Sequence, residues 1–392
     1  MHVAVVHSLY STQQPSGENV VVLEQVRALH GAGHEVSLVL AASDDKRWTA
    51  WEQVLSGIRV VSGAGKNPRN VVDALRPDVV HVHNLFPNFG DRWLRALGVP
   101  TVATLHNYRP LCSAGTFFRD GRHCTLCPDE GSQSALVHRC YNGSVVATAP
   151  LAIKTSSLGR RTNPVFQHVD LLVVLSDRSR ALYMSAGVSE ADLRLVPNFV
   201  RDRSAAADET HPSPAGWAVV GRLTPEKGVL ELVQNWVGPE KLHIYGDGPL
   251  RAAVEAAAIP EFVSLEGVLG GDELRRRLRA HRGLAFPSLC AEGAIPLVYV
   301  EALAEGLPVI AVRGNGASDH ILRYGTGWVV PEVAEMAASV RRLPPNRPLV
   351  ELCMGNPREI FREQFTEQRW ADAMGGAYSA AIERHNLARS RG

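Results

Sequence analysis

Short apolar runs alternate with segments of helical period along the first part of the chain. Residues 3–6 and 36–41 are rich in valine, leucine and alanine, which is the pattern of strands buried on both faces of a sheet. Between them, Val22, Val26 and Leu29 recur at the spacing of one helix face. The pattern predicts a strand–helix–strand unit with parallel strands.

The alternation continues on both sides of a polar, low-complexity segment at residues 201–216, which is the predicted linker. Further strands are predicted at residues 79–82, 101–105 and 171–175 before it, and at residues 217–220, 242–245, 263–265, 283–286, 308–312 and 327–330 after it. A helical stretch carrying four aromatic residues follows near the end of the chain. The 392 residues therefore fit two α/β domains.

Composition and charge exclude several classes of protein. Hydrophobic residues make up 45% of the chain and charged residues 21%, which is ordinary for a globular protein and unlike a disordered one. The net charge of +1 gives no global field that would attract nucleic acid. No apolar run reaches the roughly 20 residues that span a bilayer, and the first residues show no leader pattern. We therefore expect a cytoplasmic protein with no transmembrane segment and no nucleic-acid partner.

A glycine-containing loop precedes the first predicted helix. Gly17 would let the backbone approach a ligand closely, and the amino end of the helix presents N–H groups to an anion. Phosphate or sugar binding and a plain turn both fit this segment. Gly31 and Gly33 follow a helix and do not join a strand to one, so the dinucleotide fingerprint is missing and NAD binding loses its main support.

Two loops of the second predicted domain carry charge beside the ends of strands. Arg222 and Lys227 lie in a turn after residues 217–220 and suit a diphosphate, although a solvated basic turn is the alternative. Glu292 lies in a later loop, and Glu301 lies inside an apolar helical stretch. A buried carboxylate needs cationic or hydroxyl partners, because burying it unpaired is unfavourable. Ribose and hexose hydroxyls would satisfy both carboxylates.

Several motifs, in this order, resemble those of the retaining glycosyltransferases of the GT-B fold in family 4. They are Gly221-Arg222 with Lys227-Gly228, Gly246-Asp247-Gly248-Pro249, and Pro287-Ser288 with Glu292-Gly293 and Glu301 to Ile310. The resemblance extends over almost the whole chain, through residues 78–84, 104–108, 196–200 and 365–370. It implies an α/β protein with two Rossmann-like domains that face each other across a cleft.

The resemblance also implies how the chain divides. Residues 1–205 would form the acceptor-side domain, with a cysteine-containing insertion at 108–143, and residues 206–365 would form the domain that binds the nucleotide sugar. A C-terminal helix at about 366–386 would cross back to the first domain.

The resemblance implies roles for individual residues, according to their positions in the family's motifs. Arg222 and Lys227 would hold the diphosphate, Glu301 the ribose, and Glu292 the donor sugar. His106 would contact the transferred sugar, so that the catalytic set is His106, Arg222, Lys227 and Glu292. The resemblance assigns further donor contacts to backbone or loop positions and further polar residues to the acceptor side. The donor contacts are Gly17, Gly293, Ala294, Ile295, Pro296 and Leu297, and the acceptor-side residues are Glu18, Asn19, Asn84, Asn107 and Asn198.

The implied reaction is hexosyl transfer with retention from a UDP- or GDP-linked sugar to a hydroxyl group. The acceptor would be a sugar, an aminocyclitol or a lipid-linked saccharide, and catalysis would need no cofactor. Positioning of the substrates and electrostatic stabilisation of the transition state would account for catalysis. The alternatives are a phosphorylase, a pseudo-glycosyltransferase, or an inactive protein that binds nucleotide sugars.

One departure from the family pattern concerns the two glutamates. The family spaces them eight positions apart, whereas Glu292 and Glu301 are nine apart. Either a bulge absorbs the extra residue and keeps both carboxylates in place, or Glu292 points elsewhere and recognition of the donor sugar is altered.

Two groups of metal-ligand residue types stand apart from these motifs. Cys112, Cys124, Cys127 and Cys140 lie in the insertion, and they fit either a tetrahedral structural zinc or packed, reduced thiols. We expect the insertion to shape the acceptor pocket. His81 and His83 share one face of a strand, which suits a metal, but hydrogen bonding is the favoured interpretation because the sequence offers no third ligand.

Overall fold

The computed structural model describes residues 1–9, 17–42, 57–203, 216–345 and 347–391, and these residues form two compact units. The N-terminal unit consists of Met1–Phe117, Cys124–Pro197 and Trp370–Gly392. The C-terminal unit consists of Phe118–His123 and Asn198–Arg369. The predicted boundary between residues 205 and 206, and most of the predicted linker, lie outside the described residues.

Fourteen strands occur within the described ranges. In chain order they are β1 (His2–Leu9), β2 (Glu35–Ala42), β3 (Val79–Val82), β4 (Thr101–Leu105), β5 (Phe118–Arg119), β6 (Arg122–His123), β7 (Leu171–Val174), β8 (Leu193–Leu195), β9 (Trp217–Val220), β10 (Leu242–Tyr245), β11 (Val263–Gly267), β12 (Gly283–Phe286), β13 (Val309–Val312) and β14 (Gly327–Val330). Every strand predicted from an apolar run is present.

Helices occupy most of the connections between these strands. They are α1 (Gly17–Gly31), α2 (Arg69–Leu75), α3 (Leu126–Asp129), α4 (Gln133–Val137), α5 (Val145–Thr155), α6 (Ser157–Arg161), α7 (Pro164–His168), α8 (Asp177–Ser185), α9 (Val229–Asn235), α10 (Arg251–Ala257), α11 (Gly271–Arg279), α12 (Leu297–Ala304), α13 (Gly316–Tyr324), α14 (Met336–Arg341), α15 (Pro357–Gln364) and α16 (Glu367–Arg391). Residues 57–62 are also helical. No helix in the described part of the chain combines the length and the apolar character that crossing a membrane requires.

Each unit is built on its own six-stranded parallel sheet. The strand order is β2-β1-β3-β4-β7-β8 in the N-terminal unit and β11-β10-β9-β12-β13-β14 in the C-terminal unit. The central strands are buried over their whole length, as β3, β4, β7, β12 and β13 show. Both faces of such strands are covered by helices, so ligands reach a sheet of this kind at the carboxyl ends of its strands.

Three short strands were not predicted from the sequence. β8 is an edge strand of three residues in which buried Leu193 is followed by exposed Arg194, so it lacks a continuous apolar run. β5 and β6 form a two-residue hairpin whose residues are half-buried or exposed. Strands this short and polar give almost no periodic signal.

The last helix, α16, begins in the C-terminal unit and belongs to the N-terminal unit from Trp370 onward. Its Tyr378 hydroxyl is fully buried and lies 2.8 Å from Nδ1 of His81 in β3. Near its end, Arg384 donates to the carbonyl oxygen of Asp170 at 3.1 Å. The predicted return of this helix to the first domain is confirmed, and the helix extends past its predicted end at residue 386.

Glycines let the loops beside β9 and β10 pack closely in the C-terminal unit. A Cβ at Gly246 would lie 1.9 Å from the carbonyl oxygen of Gly221, a distance at which the backbone must move. The amide of Leu223 donates to the carbonyl oxygen of Asp247 at 2.9 Å and holds the two loops together. The Gly-Asp-Gly-Pro motif is therefore needed for backbone packing.

We expect Gly246→Ala to destabilise the C-terminal unit, because the new methyl group collides with backbone and not with a flexible side chain. Overpacking of this kind typically costs about 1–3 kcal/mol. Thermal and urea unfolding would measure the loss. Gly98→Ala is the matched control, since a Cβ there meets no atom within 4 Å, and equal melting temperatures for the two variants would contradict the prediction.

Candidate functional site

The carboxyl edge of the C-terminal sheet brings the predicted donor residues into adjacent loops. The neighbouring strands β9 and β12 lead into the loops that carry Lys227 and Glu292, respectively. Connections leave these two strands in opposite directions, and such a switch point opens a crevice outside the strand ends. Gly228 ends the first loop with a φ of 66°, and a Cβ there would lie 2.3 Å from the carbonyl oxygen of Pro287. The two loops therefore touch through their backbones.

Lys227 and Glu292 form an ion pair across these two loops. Lys227 Nζ lies 2.5 Å from Glu292 Oε1, and the side chains are 24% and 16% exposed. Burial lowers the pKa of Lys227, but the negative charge of Glu292, with smaller effects from Cys290 and Glu226, outweighs this and raises the pKa. The ammonium group is therefore charged at neutral pH, and its position is fixed.

The backbone at Glu292 adopts an unusual conformation. Glu292 has a φ of 35°, a left-handed conformation that a residue with a side chain rarely adopts. In this conformation its carboxylate reaches Lys227 and also accepts a hydrogen bond from Ser288 Oγ at 3.0 Å. The carboxylate points toward Lys227, and both alternatives from the sequence stay open. Its role toward a donor sugar stays a prediction.

Glu301 lies in α12 with its carboxylate unpaired. Within the described ranges no side chain forms a hydrogen bond or ion pair with it, because the neighbouring cation, Arg275, donates to Glu305 at 2.7 Å. Burial raises the pKa of Glu301 to about 7; Glu305 adds to the rise and Arg275 opposes it. Hydroxyl groups of a ligand would stabilise the ionised form of this carboxylate, because they supply the hydrogen bonds that the described side chains do not.

The remaining predicted donor residues differ in their surroundings. Arg222 is 76% exposed, and its Nη2 lies 3.8 Å from Glu226 Oε1, so the structure does not join it to the Lys227–Glu292 pair. The loop Gly293, Ala294, Ile295 and Pro296 leads into α12 at Leu297. Pro296 caps this helix without a side-chain hydrogen bond, so the first N–H groups of α12 can meet an anion or an oxygen atom.

In the N-terminal unit, His106 belongs to a cluster of buried imidazoles. His106 Nε2 lies 2.8 Å from His83 Nδ1, and His81 lies 2.8 Å from both Tyr378 OH and Thr104 Oγ1. Burial lowers the pKa of His81 and of His106 to about 3, and lowers that of His83 well below the ordinary value. The three rings are neutral at physiological pH, and the hydrogen-bonding role predicted for His81 and His83 is confirmed.

A cavity of about 180 Å³ opens beside these histidines, wholly within the N-terminal unit. The predicted residues Glu18, Asn84, His106 and Asn107 line it. Burial raises the pKa of Glu18 to about 7, against the opposing effects of Arg109 and of hydrogen bonds from Asn84 and Asn107. The cavity therefore carries a carboxylate that is half protonated near neutral pH.

Three other predicted residues lie outside this cavity lining. Gly17 begins α1 directly before Glu18. Asn19 is buried, and its Oδ1 lies 3.0 Å from His7 Nε2. Asn198 is also buried, and it belongs to the C-terminal unit.

Sequence reasoning missed Arg109 and Phe86, which also line the cavity. The guanidinium carbon of Arg109 lies 4.7 Å from the centre of the Phe86 ring and 5.7 Å from that of Tyr141. Arg109 follows His106 and Asn107 in the segment just after β4. A systematic search for charged residues after predicted strands would have found it.

The four cysteines of the insertion are reduced in the structure. Cys112 and Cys127 are buried, whereas Cys124 and Cys140 are half-buried. Burial, followed by the neighbouring Cys112, raises the pKa of Cys127 to about 11, and Cys140 and Cys124 contribute as well. No three Cys, His, Asp or Glu side chains in the described ranges are arranged to bind one metal ion. Structural zinc stays a prediction, which elemental analysis of the purified protein can test.

Models of known protein families match the sequences of both units. Residues 15–203 match the model described as Glycosyltransferase Family 4, and residues 216–345 match the model described as Glycosyl transferases group 1. Together the two matches span most of the sequence. The chain belongs to glycosyltransferase family 4.

Curated relatives match this family 4 chain over part of their length. The exopolysaccharide phosphotransferase SCO2592 of Streptomyces coelicolor is 31% identical over 45% of this chain and 20% of its own. A GDP-mannose-dependent alpha-(1-6)-phosphatidylinositol monomannoside mannosyltransferase of Mycobacterium tuberculosis is 28% identical over 48% of this chain and 54% of its own. The matches thus cover from a fifth to about half of these relatives.

A solved structure supports the fold. Anabaena HepE in complex with UDP and glucose superposes with a TM-score of 0.62 at 14% identity, covering 97% of this chain and 100% of that one. The likeness confirms the GT-B fold predicted from the sequence motifs.

We predict that His83 is a positioning residue for His106. His83→Ala removes a buried hydrogen bond worth about 1 kcal/mol and should lower the rate of the sugar transfer proposed below about fivefold to tenfold, with donor binding unchanged. His83→Asn should recover most of the loss, because an amide can occupy the Nδ1 position. Initial rates and calorimetry would measure both effects. Alanine and asparagine variants with equal, wild-type rates would contradict the role.

A second prediction concerns the pH dependence of stability. The pKa of Glu301 is about 7 in the folded chain, against 4.5 for its ordinary value, so between these pH values the folded state binds more protons than the unfolded state. Stability should therefore fall as pH rises through this window, by at most about 1.4 kcal/mol per pH unit from this group. Glu301→Gln should reduce the dependence of melting temperature on pH between 5 and 7, and the part that Glu18 contributes in the same window should remain. An unchanged slope would show that Glu301 is not the titrating group.

Proposed function

We propose that the chain transfers a sugar, with retention, from a nucleotide-diphosphate sugar to a hydroxyl group of an acceptor. The observation that carries the proposal is the content of the loops at the carboxyl edge of the C-terminal sheet. Exposed Arg222 and charged Lys227, which pairs with Glu292, follow β9. Glu301, whose carboxylate has no side-chain partner among the described residues, lies in the helix that follows β12 and its loop. These are the groups that a diphosphate and a ribose require.

Lys227 would act on the diphosphate. Its ammonium group is charged and held at 2.5 Å from Glu292, so it supplies positive charge where negative charge develops on the leaving phosphate. Arg222 is exposed and therefore free to approach phosphate oxygens, for which its planar guanidinium is suited. The N–H groups at the start of α12 add a third source of partial positive charge.

Glu301 would bind the ribose, because its carboxylate is buried and accepts no side-chain hydrogen bond from the described residues. Two vicinal hydroxyls could donate to its two oxygens. In the N-terminal unit, His106 would contact the transferred sugar as a neutral imidazole, since its pKa is about 3. Electrostatic stabilisation and positioning would then carry the reaction.

The comparisons support a nucleotide sugar without fixing the base. One relative's name specifies GDP-mannose, and the structural neighbour is described with UDP and glucose. We therefore propose a UDP- or GDP-linked donor. A sugar, an aminocyclitol and a lipid-linked saccharide remain the candidate acceptors.

Arg222→Ala, Lys227→Ala and Glu301→Ala test the donor site. Each should lower the rate of transfer about 100-fold or more, which is the usual effect of removing one group that stabilises transition-state charge. Release of UDP or GDP from a panel of nucleotide sugars, with mass spectrometry of the glycoside, would measure the rate. Arg276→Ala is the matched control, because Arg276 is exposed and, among the described residues, pairs with Glu273 on the same helix, α11, and with no other carboxylate.

The same assay separates the alternatives. Wild-type rates in all three variants would refute the donor site, and thermal unfolding would show whether each variant is folded. Donor binding without any glycoside product would favour an inactive binding protein. The anomeric configuration of the product, from proton NMR coupling constants, tests retention.

A further inference from the structure

We infer that Glu18 and Arg109 together form a subsite for a hydroxyl group of a neutral, polyhydroxylated acceptor such as a saccharide or a cyclitol. The identification of this occupant as the acceptor rests on the proposed function. The subsite itself rests on the cavity in the N-terminal unit and on the hydrogen-bonding capacity of its lining.

Both side chains have buried polar atoms that the described residues leave unsatisfied. These atoms are Oε1 of Glu18 and Nε and Nη1 of Arg109. The two groups are close enough for Arg109 to lower the pKa of Glu18, yet no ion pair within 4.0 Å joins them in the described part of the chain. A buried polar atom without a partner is unfavourable, so a ligand that pairs with both groups would be stabilised by them.

The chemistry of the two groups selects the ligand. A hydroxyl can donate its hydrogen to the Glu18 carboxylate and accept one from the Arg109 guanidinium at the same time. A carboxylate or phosphate ligand would be attracted by Arg109 but opposed by ionised Glu18, and an ammonium ligand would be attracted by Glu18 but opposed by Arg109, so the pair gives neither kind of charged ligand a net advantage. The pair therefore favours a neutral hydroxyl over either kind of charged group.

Both residues are held in place before any ligand binds. Asn84 and Asn107 form hydrogen bonds with Glu18, and the carbonyl oxygen of Asn107 accepts a bond from Tyr183 OH at 2.7 Å. Arg109 is held by its own amide, which donates to Asn107 Oδ1 at 3.0 Å, and by the ring of Phe86. Such preorganisation reduces the entropy lost on binding.

The rest of the cavity suits a sugar-sized ring. Phe86 lines it beside Arg109 and offers an apolar surface to the C–H face of a pyranose or cyclitol. At another part of the wall, Lys154 and Asp91 pair with each other, so neither charge requires a ligand. His106 lines the same cavity, which places a ring bound at Glu18 and Arg109 next to the imidazole assigned to the transferred sugar.

Saturation-transfer NMR on the full chain tests this subsite with defined probes. The neutral probes are myo-inositol and the methyl glycosides of glucose, mannose and galactose, and the charged probes are glucuronic acid and glucosamine. We expect at least one neutral probe to bind, and the charged probes to bind at least fivefold more weakly. Glu18→Ala and Arg109→Ala should each weaken the neutral probe at least tenfold, and Arg109→Lys should do so as well, because it keeps the charge but loses the fork of N–H groups.

Arg95→Ala and Glu35→Ala are the matched controls, since both residues are exposed in the same unit and neither lines the cavity. Unchanged binding in the Glu18 and Arg109 variants would overturn the inference, as would stronger binding of glucuronic acid or no binding by any neutral probe. Thermal unfolding identifies any variant that is misfolded. If an alanine variant is misfolded, the binding measured with Arg109→Lys is used to test the inference. Binding of UDP and GDP to the same samples is measured separately. Absence of nucleotide binding would contradict the proposed function but would not contradict the subsite.

Discussion

The burial of parallel strands on both faces is the constraint on which the rest of the structure depends. Strands such as β3, β4, β12 and β13 are buried throughout, so helices cover both sides of each sheet and only the strand ends remain for chemistry. The loops after β9 and β12 hold Lys227 and Glu292 for this reason. The segments after β3 and β4 likewise hold His83 and His106. The same packing rule therefore places Lys227 and Glu292 at the strand ends of one unit, and His83 and His106 beside a cavity in the other.

Buried polar groups then divide into satisfied and unsatisfied sets. Lys227 and Glu292 neutralise each other, and His81, His83 and His106 remain neutral within hydrogen bonds. Glu301 and Glu18 differ, because burial raises the pKa of each to about 7. Carrying such carboxylates lowers the stability of the folded chain at neutral pH. Groups with strongly shifted pKa values are concentrated at functional sites, where a ligand can form the hydrogen bonds that the protein leaves unmade.

The strands and the order of the motifs were predictable because their signals are local. A buried strand needs a continuous apolar run, and each run that we assigned to a strand is one, whereas β8 was missed because its three residues place exposed Arg194 between two leucines. Arg222, Lys227 and Glu301 could be named from their positions after strands or inside an apolar helix. The course of the backbone at Glu292 could not, because its φ of 35° depends on the loop that packs against it. Arg109 was missed for a related reason, since only the folded cavity shows that Phe86, Tyr141 and Glu18 surround it.

The sequence by itself determined the α/β class, the two parallel sheets, the family and most of the residues at the strand ends. These depend on residue type and on spacing along the chain, which burial converts directly into strands and helices. The tertiary structure alone decided which charges are paired, which carboxylates titrate near neutral pH, and which side chains share a cavity. Pairing, desolvation and enclosure depend on distances between residues that are far apart in the chain, and hydrophobic periodicity carries no information about those distances.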